Sequence, residues 1–435
     1  MKFFKLKNFF KIVSNLKFGI LVLALIAFLS SFGSFIEQDE PITFYKKNYE
    51  KAIYGFIDSN FILNLGLDHI YSTWWFLTLL VIFGISLISC TISRQFPLFL
   101  SSKEFFFKKE KTSFFSLPFS IRIKNIYYLK EIILTKLQFS QFYIYQKDNI
   151  IYGYKGLIGR ISPILVHFSL VLILIGSSLG AFFNFKAQEV LPKGELFHIQ
   201  NPIRVGWLTA IPQINTRIND FWVEYENNRI HQFYSNLSIL DNEGKEIREQ
   251  TISVNNPLRY NHVDFYQSDW NLVGIRVMDT KTNITYEFPV FPLNLKGKSW
   301  ITWIKEEEKI YSLVFDQLQN TVLVYDGKGN FIGTKNIGDS LSFSSNFKLL
   351  EILSSTGLLI KYDPSIIIIY LGFALLMITA CLSYFPYTQI WIFNDTKNCW
   401  IGSSTNRGKI QLEIEFENLV RYLEYYLSKI IFLKK

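Results

Sequence analysis

The sequence predicts an α+β membrane protein: four transmembrane helices with a large antiparallel β-rich, sandwich-like translocated domain between helices 3 and 4. Three observations predict it. Four uncharged apolar runs are long enough to cross a bilayer, which takes about 20 helical residues. The stretch 186–363, between the last two runs, alternates apolar and polar residues as half-buried strands do. Lysine and arginine gather on alternate sides of the runs, as the positive-inside rule requires. The composition agrees: 49% of the 435 residues are apolar and 19% are charged, below the usual quarter of a soluble domain.

The elements follow in order. Residues 1–17 carry Lys2, Lys5, Lys7, Lys11 and Lys17 with no acid. The first span is 18–36. The small residues Ser30, Ser31, Gly33 and Ser34 behind its apolar core leave a cleaved signal peptide as the other reading. A short loop, 37–68, has acids at Glu37, Asp39 and Glu40, and the second span is 69–93. Segment 94–160 is strongly basic, with twelve Lys/Arg against four Asp/Glu, whereas 186–363 has eighteen against twenty-one. The third span, 161–185, separates them. The fourth, 364–388, lies in an uncharged run that reaches 394 and returns the chain to the basic side for the tail 389–435. The N-terminus, the 94–160 loop and the tail therefore share one compartment, and 186–363 is translocated.

Within 186–363, WVEYENNRIHQFYSNLSILDNEGKEIREQTISV and LRYNHVDFYQSDW read as strands. Turn signals fall at Glu226-Asn227-Asn228, Asp241-Asn242-Glu243-Gly244 and Asp326-Gly327-Lys328-Gly329. In the basic segment, KEFFFKKEKTSFF interleaves Lys with Phe. This suits either a stretch lying at lipid headgroups or a loop that only enforces topology.

Several chemistries are excluded. Cys90, Cys381 and Cys399 form no C-x-x-C pair, so no disulfide framework, zinc ribbon or dithiol reductase is expected. No hydrolase, zincin or Walker sequence is present, and Gly153, Gly156 and Gly159 do not make a nucleotide motif. Asp220, Asp264 and Asp269 are expected to be solvated or hydrogen-bonded. No nucleic-acid partner is expected, because the basic residues flank spans.

The candidate binding residues are histidines. His167 lies inside the third span, about six residues and so roughly 10 Å from its positive-inside end. An ionisable group at that depth is costly and marks a ligand, ion or proton site; an interhelical hydrogen bond is the plainer alternative. His69 opens the second span at the opposite surface, beside Tyr71, Trp74 and Trp75, where an aromatic belt is the plainer alternative. The two should stand on the order of 20 Å apart across the core. His198, His231 and His262 are expected to be structural or solvated.

Several segments resemble the ResB (CcsB) family of System II cytochrome c biogenesis proteins. They are LKFGILVLALIAFLSSFGSFIEQ at the first span, LDHIYSTWWFLTLLVIFGISLISCTISRQFP at 67–97, GRISPILVHFSLVLILIGSSLG at 159–180, LPKGELFHIQN at 191–201, ISVNNPLRYNHVDFYQSDW at 252–270 and YDPSIIIIYLGFALLMITACLSY at 362–384. The chain departs from the family's usual pattern at Asn256, before Pro257.

The resemblance implies a subunit of a cytochrome c synthase (haem lyase) complex with no catalytic motif of its own. It implies that the chain acts with a CcsA-type partner to carry haem b across an energy-transducing membrane, for attachment to the C-x-x-C-H cysteines of apocytochrome c. His167 and His69 become candidate haem-iron ligands, because iron takes axial imidazoles readily. Two imidazoles on one iron lie only about 4 Å apart, taking metal–nitrogen bonds of roughly 2 Å. Each would then meet a partner histidine, or one alone would serve. A structural membrane subunit that binds no haem is the competing reading. A transporter with His167 as proton relay is disfavoured, since no inverted repeat is present. The Lys-, Ile-, Phe- and Asn-rich composition resembles that of an AT-rich organellar genome; with the family resemblance it implies a plastid thylakoid membrane with the large domain in the lumen, or else a bacterial inner membrane.

Overall fold

The computed structural model describes residues 10–50, 58–108, 110–125, 128–226, 229–293, 298–306, 309–315, 321–341 and 347–433. Its longer helices are α1 (Leu16–Phe35), α2 (Trp74–Cys90), α3 (Phe96–Lys103), α4 (Leu129–Phe139), α5 (Ile158–Phe183), α6 (Ile366–Leu382) and α7 (Lys409–Leu433). Among the described residues three helical stretches are long and apolar enough to cross a membrane: Leu16–Phe35, Trp74–Lys103 and Ile158–Phe183. The fourth expected span, α6, is equally apolar but has 17 residues, about 25 Å of rise, so helix length alone does not establish four crossings.

The second helix also differs from its expected bounds. It starts at Trp74, not at residue 69, and runs past Arg94 to Lys103. Asn15 starts α1 by accepting the Lys17 amide on its side chain, a polar cap on an otherwise apolar element. Helices α5 and α6 lie in close contact at glycines. A Cβ on Gly176 would stand 2.7 Å from Ile369 Cγ1, and one on Gly372 would stand 2.6 Å from Ile173 Cγ1. Each glycine receives the other helix's isoleucine, the small-residue packing that replaces hydrophobic drive between apolar helices.

The chain divides into two compact units: 1–36 with 69–178 and 365–435, and 37–68 with 179–364. The first holds a sheet that the sequence reading did not foresee. Strands β1 (Phe119–Lys124), β2 (Tyr143–Lys147) and β3 (Ile150–Lys155) join two strands of the tail, β19 (Thr388–Asn394) and β20 (Asn398–Thr405), numbered after those of the other unit. The order is β1-β20-β19-β3-β2, antiparallel throughout.

Register places Ile121, Ile401, Ile392 and Ile151 in one row across four of these strands. On that face the row meets Leu129, Ile133 and Leu137 of α4, and Phe416, Leu419 and Leu423 of α7. Those spacings put each apolar set on one face of its helix. The other face is aromatic: Tyr152, Tyr154, Tyr387, Trp391 and Trp400 pack with Phe114 and Phe107. Trp391 Nε1 donates to Phe106 O at 2.7 Å, and Lys108 Nζ sits 5.1 Å from the Trp391 ring centre. So Phe106, Phe107, Lys108 and Phe114 of the Lys/Phe stretch cover a sheet face.

The second unit contains β4 (Phe185–Pro192), β5 (Leu196–Phe197), β6 (Pro202–Val205), β7 (Asn215–Glu226), β8 (Arg229–Leu240), β9 (Glu246–Ser253), β10 (Leu258–Tyr260), β11 (Val263–Asp279), β12 (Ile284–Pro289), β13 (Phe291–Leu293), β14 (Ser299–Glu306), β15 (Lys309–Phe315), β16 (Thr321–Tyr325), β17 (Phe331–Asn336) and β18 (Phe347–Tyr362). They form three antiparallel sheets. Strands β11 and β18 pair over 263–279 and 347–362, with register shifts between Gln267 and Asp269 and between Leu272 and Gly274. Such bulges bend and twist a strand. On one side of the bend Phe265 and Ile360 join a core with Ile218, Leu237 and Ile252 of β7, β8 and β9. On the other, Ile275 and Leu349 join a core with Ile304, Leu313 and Val324 of β14, β15 and β16. The sequence suggested one sandwich; the strands build two cores on a shared pair. The expected turns at 241–244 and 326–329 are present. Of the turn at 226–228, Asn227 and Asn228 lie outside the described residues.

The loop 37–68 belongs to this unit, and its described residues are folded, with helices at Ile42–Asn48 and Ser59–Leu65. Tyr45 is fully buried and donates to Glu37 O, and Tyr49 donates to Glu37 Oε2 at 2.6 Å.

Candidate functional site

Helix α2 passes into α3 through a π turn, Thr91–Gln95, in which the Phe96 amide reaches back to Thr91 O. The local sequence supplies a cause. Pro97 has no amide proton for Ser93 O, and its ring would crowd that carbonyl in an α-helix; a widened turn relieves the clash. The turn also carries Thr91 and Gln95 toward His167 of α5. Leu87, Thr91 and Gln95, spaced by four, share one helix face.

His167 is half-buried and both ring nitrogens are engaged. Nδ1 lies 2.9 Å from Thr91 Oγ1 and 3.3 Å from Leu87 O, and Nε2 lies 3.1 Å from Gln95 Nε2. The Gln95 amide nitrogen can only donate, so Nε2 accepts and the proton sits on Nδ1. Thr91 Oγ1 passes its own hydrogen to Leu87 O at 2.8 Å. Gln95 Oε1 is buried with no hydrogen-bond partner among the described residues. The result is an interhelical polar cluster inside apolar helices. Nε2, the nitrogen most exposed on an imidazole ring, is covered by the Gln95 amide, and a metal reaches it only if that amide swings away.

His69 lies elsewhere. It is in the tight helical segment Leu67–Ser72, with non-helical angles of φ −145° and ψ 48°, before α2 begins. Its carbonyl accepts from Ser72 Oγ at 3.1 Å. From Trp74 to Leu87 the helix rises roughly 20 Å, and His69 precedes Trp74. His69 and His167 therefore do not converge on one iron.

The sequence reading singled out His167 but missed Thr91 and Gln95. The signal was available: two polar residues at four-residue spacing ahead of Pro97, in a helix with no charged residue before Arg94.

The remaining candidates are dispersed. His198 bonds Gln200 at 3.2 Å, His231 pairs with Glu226 at 3.2 Å on the surface, and His262 occupies a left-handed turn position (φ 64°) between β10 and β11. Among the described residues no three His, Cys, Asp or Glu side chains group to hold a metal. All three cysteines are free. Burial pushes the Cys399 thiol up to about 12, so it stays protonated and unreactive at neutral pH. Asp220 and Asp269 make surface ion pairs with Lys193 and Lys298, and Asp264 pairs with Arg259 at 3.4 Å.

Residues 16–344 match the ResB-like family. The chain is 44% identical over 422 residues to the cytochrome c biogenesis protein Ccs1 of Thalassiosira pseudonana, covering 95% of this chain and 100% of that one. It is 40% identical over 432 residues to the cytochrome c biogenesis protein CcsB of Trichormus variabilis, covering 96% and 93%. A Ccs1 of Phaeodactylum tricornutum is 42% identical over 421 residues, covering 95% and 100%. The chain is a membrane protein that belongs to the ResB-like family.

Proposed function

We propose that the chain serves cytochrome c biogenesis as the partner of a CcsA-type membrane protein. Together they carry haem b across the membrane and present it for attachment to apocytochrome c on the side of the β-rich unit. The near full-length likeness to proteins named for cytochrome c biogenesis carries this reading. The polar cluster at His167 supports it from within the chain, since a histidine, a threonine and a glutamine among apolar helices are costly unless used. His167 and His69 are the proposed haem-iron ligands, each completed by a histidine of the partner or one acting alone. The haem is cargo, and it takes His167 by displacing Gln95.

Four crossings belong to this proposal, and the strand ladders support them. Helix α5 leaves β3 and enters β4, while α6 leaves β18 and enters β19. Because β3 pairs with β19 and β4 with β18, the two helices link the same two sheets in opposite directions. If α5 crosses, α6 crosses too, and its shorter length is met by local thinning or flanking residues. The proposed location is a plastid thylakoid membrane with the β-rich unit in the lumen, the alternative being a bacterial inner membrane.

One observation favours a second reading. Both His167 nitrogens are bonded within the chain, as suits a structural assembly subunit that binds no haem itself. Depleting the chain in its own cells tests the shared core of both readings. The expected result is apocytochrome c without covalent haem while b-type haem persists; undiminished covalent haem would refute it. Haem content of the purified chain then divides the two.

A further inference from the structure

The end of α5 is wrapped by a loop that holds two large apolar side chains out of the β-rich unit. Gly206 N donates to Asn184 O at 2.7 Å, and Leu208 N donates to Phe182 O at 2.9 Å. Thr209 Oγ1 lies 3.2 Å from Phe182 O and 3.1 Å from Asn184 O. These bonds satisfy the carbonyls that a helix end leaves open. The approach is too close for any side chain at residue 206, since a Cβ on Gly206 would sit 2.4 Å from Phe182 O. The loop is therefore fixed on the helix end.

What it fixes is Trp207 and Leu208. The Trp207 ring meets Phe182 edge to face at 5.5 Å between ring centres, yet Trp207 is 61% exposed and Leu208 67%. Phe183 beside them is 37% exposed. Three donors thus hold an indole and an isobutyl group outward, where water would oppose them. The length of α5 identifies the medium that would not. Its 26 residues rise about 39 Å, more than the roughly 30 Å hydrocarbon core. With Arg160 at the basic end, the core is spent near residue 181, and Phe182, Phe183 and Trp207 fall at the level of the opposite headgroups. An indole at that level buries its ring among glycerol and upper acyl groups while its N–H stays wet.

We infer that residues 206–209 form a membrane-interface anchor, with Trp207 and Leu208 inserted into the headgroup–acyl boundary of the bilayer that α5 spans. The occupant of this apolar tip is lipid, by continuity with the apolar surface of α5. This does not depend on whether the chain handles haem.

The test uses the full chain reconstituted in phosphatidylcholine vesicles whose acyl chains carry bromine either near the carbonyl or near the terminal methyl. The chain has nine tryptophans, so the readout is the difference between wild type and Trp207→Phe. Bromine near the carbonyl should quench a component of the emission that Trp207→Phe lacks, and bromine at the methyl end should quench that component less. A second variant, Trp207→Phe with Leu208→Trp, moves the indole by one residue and should restore the quenched component. If Trp207→Phe removes no quenched component at either depth, the anchor is refuted. A Trp207 component that is blue-shifted yet unquenched would place the tip against protein and refute it equally.

Discussion

At the scale of single residues, the cluster around His167 makes the sharpest claims. Removing the imidazole strands the Gln95 amide, which costs on the order of 1–3 kcal/mol when buried. His167→Ala should therefore lower the unfolding midpoint in detergent as well as change any haem signal. Gln95→Leu separates the two roles. It removes the group covering Nε2 and keeps the apolar volume, so haem retained with the partner should rise on the order of fivefold, the equivalent of about 1 kcal/mol of lost competition. A haem-to-protein ratio that stays level would mean that Gln95 guards nothing. His167 was legible because an imidazole in an uncharged run is conspicuous. The π turn was not, because it needs Pro97 on its own helix and His167 on another.

The loop 37–68 carries a second residue-scale prediction. Burial pushes the Tyr45 and Tyr49 phenols up to about 12 from an ordinary 10, and the nearby Glu37 carboxylate adds to the shift at Tyr49. Because these values are raised in the folded state, the stability tied to the neutral phenols is fully present below pH 10. It is lost as pH rises through 10 toward 12. Tyrosinate absorbance of Tyr45→Phe and Tyr49→Phe, each against wild type, should lack a late-titrating component. A single transition near 10 in all three would contradict the buried geometry.

At the scale of elements, the α5–α6 contact turns on Gly176 and Gly372. Leucine at residue 372 has no room beside Ile173, and overpacking of this kind costs about 1–3 kcal/mol. Gly372→Leu should lower the thermal midpoint in detergent, and a compensating Ile173→Ala should return part of the loss. An unchanged midpoint would mean that the two helices do not pack there. Glycine also explains a pattern that the sequence left without a role. A Cβ at Gly156 would stand 2.0 Å from Pro386 O, one at Gly159 2.0 Å from Phe385 O, and Gly156 has φ +75°. Gly156 and Gly159 mark a close backbone approach. Strands β7, β8, β9 and β11 were legible because they alternate over long runs with clear turns. Strands β1, β2 and β3 were not. Each has five or six residues, and the tail partners of β1 and β3 lie more than two hundred residues away, past two apolar helices.

At the scale of the whole molecule, the charge asymmetry and the strand ladders point the same way. Segments 94–160 and 389–435, placed together by their lysines and arginines, share a sheet; 37–68 and 186–363, placed together by their acids, share a unit. Four crossings predict that a protease added on the side of the β-rich unit cuts the exposed 326–330 turn and spares the 147–150 turn. Cleavage of both from one side of sealed vesicles would contradict the topology. The charge rule could give sidedness, but not that the basic segments fold.

The central claim is that the chain handles haem with its partner, and the visible spectrum tests it most directly. The chain would be co-purified with the proposed CcsA-type partner as wild type, His167→Ala and His69→Ala, at matched complex yield. The account predicts reduced-haem bands in the wild type and their loss or shift in at least one variant. Identical bands in all three, with cytochrome maturation intact, would remove both histidines from haem binding and leave the chain as a structural subunit.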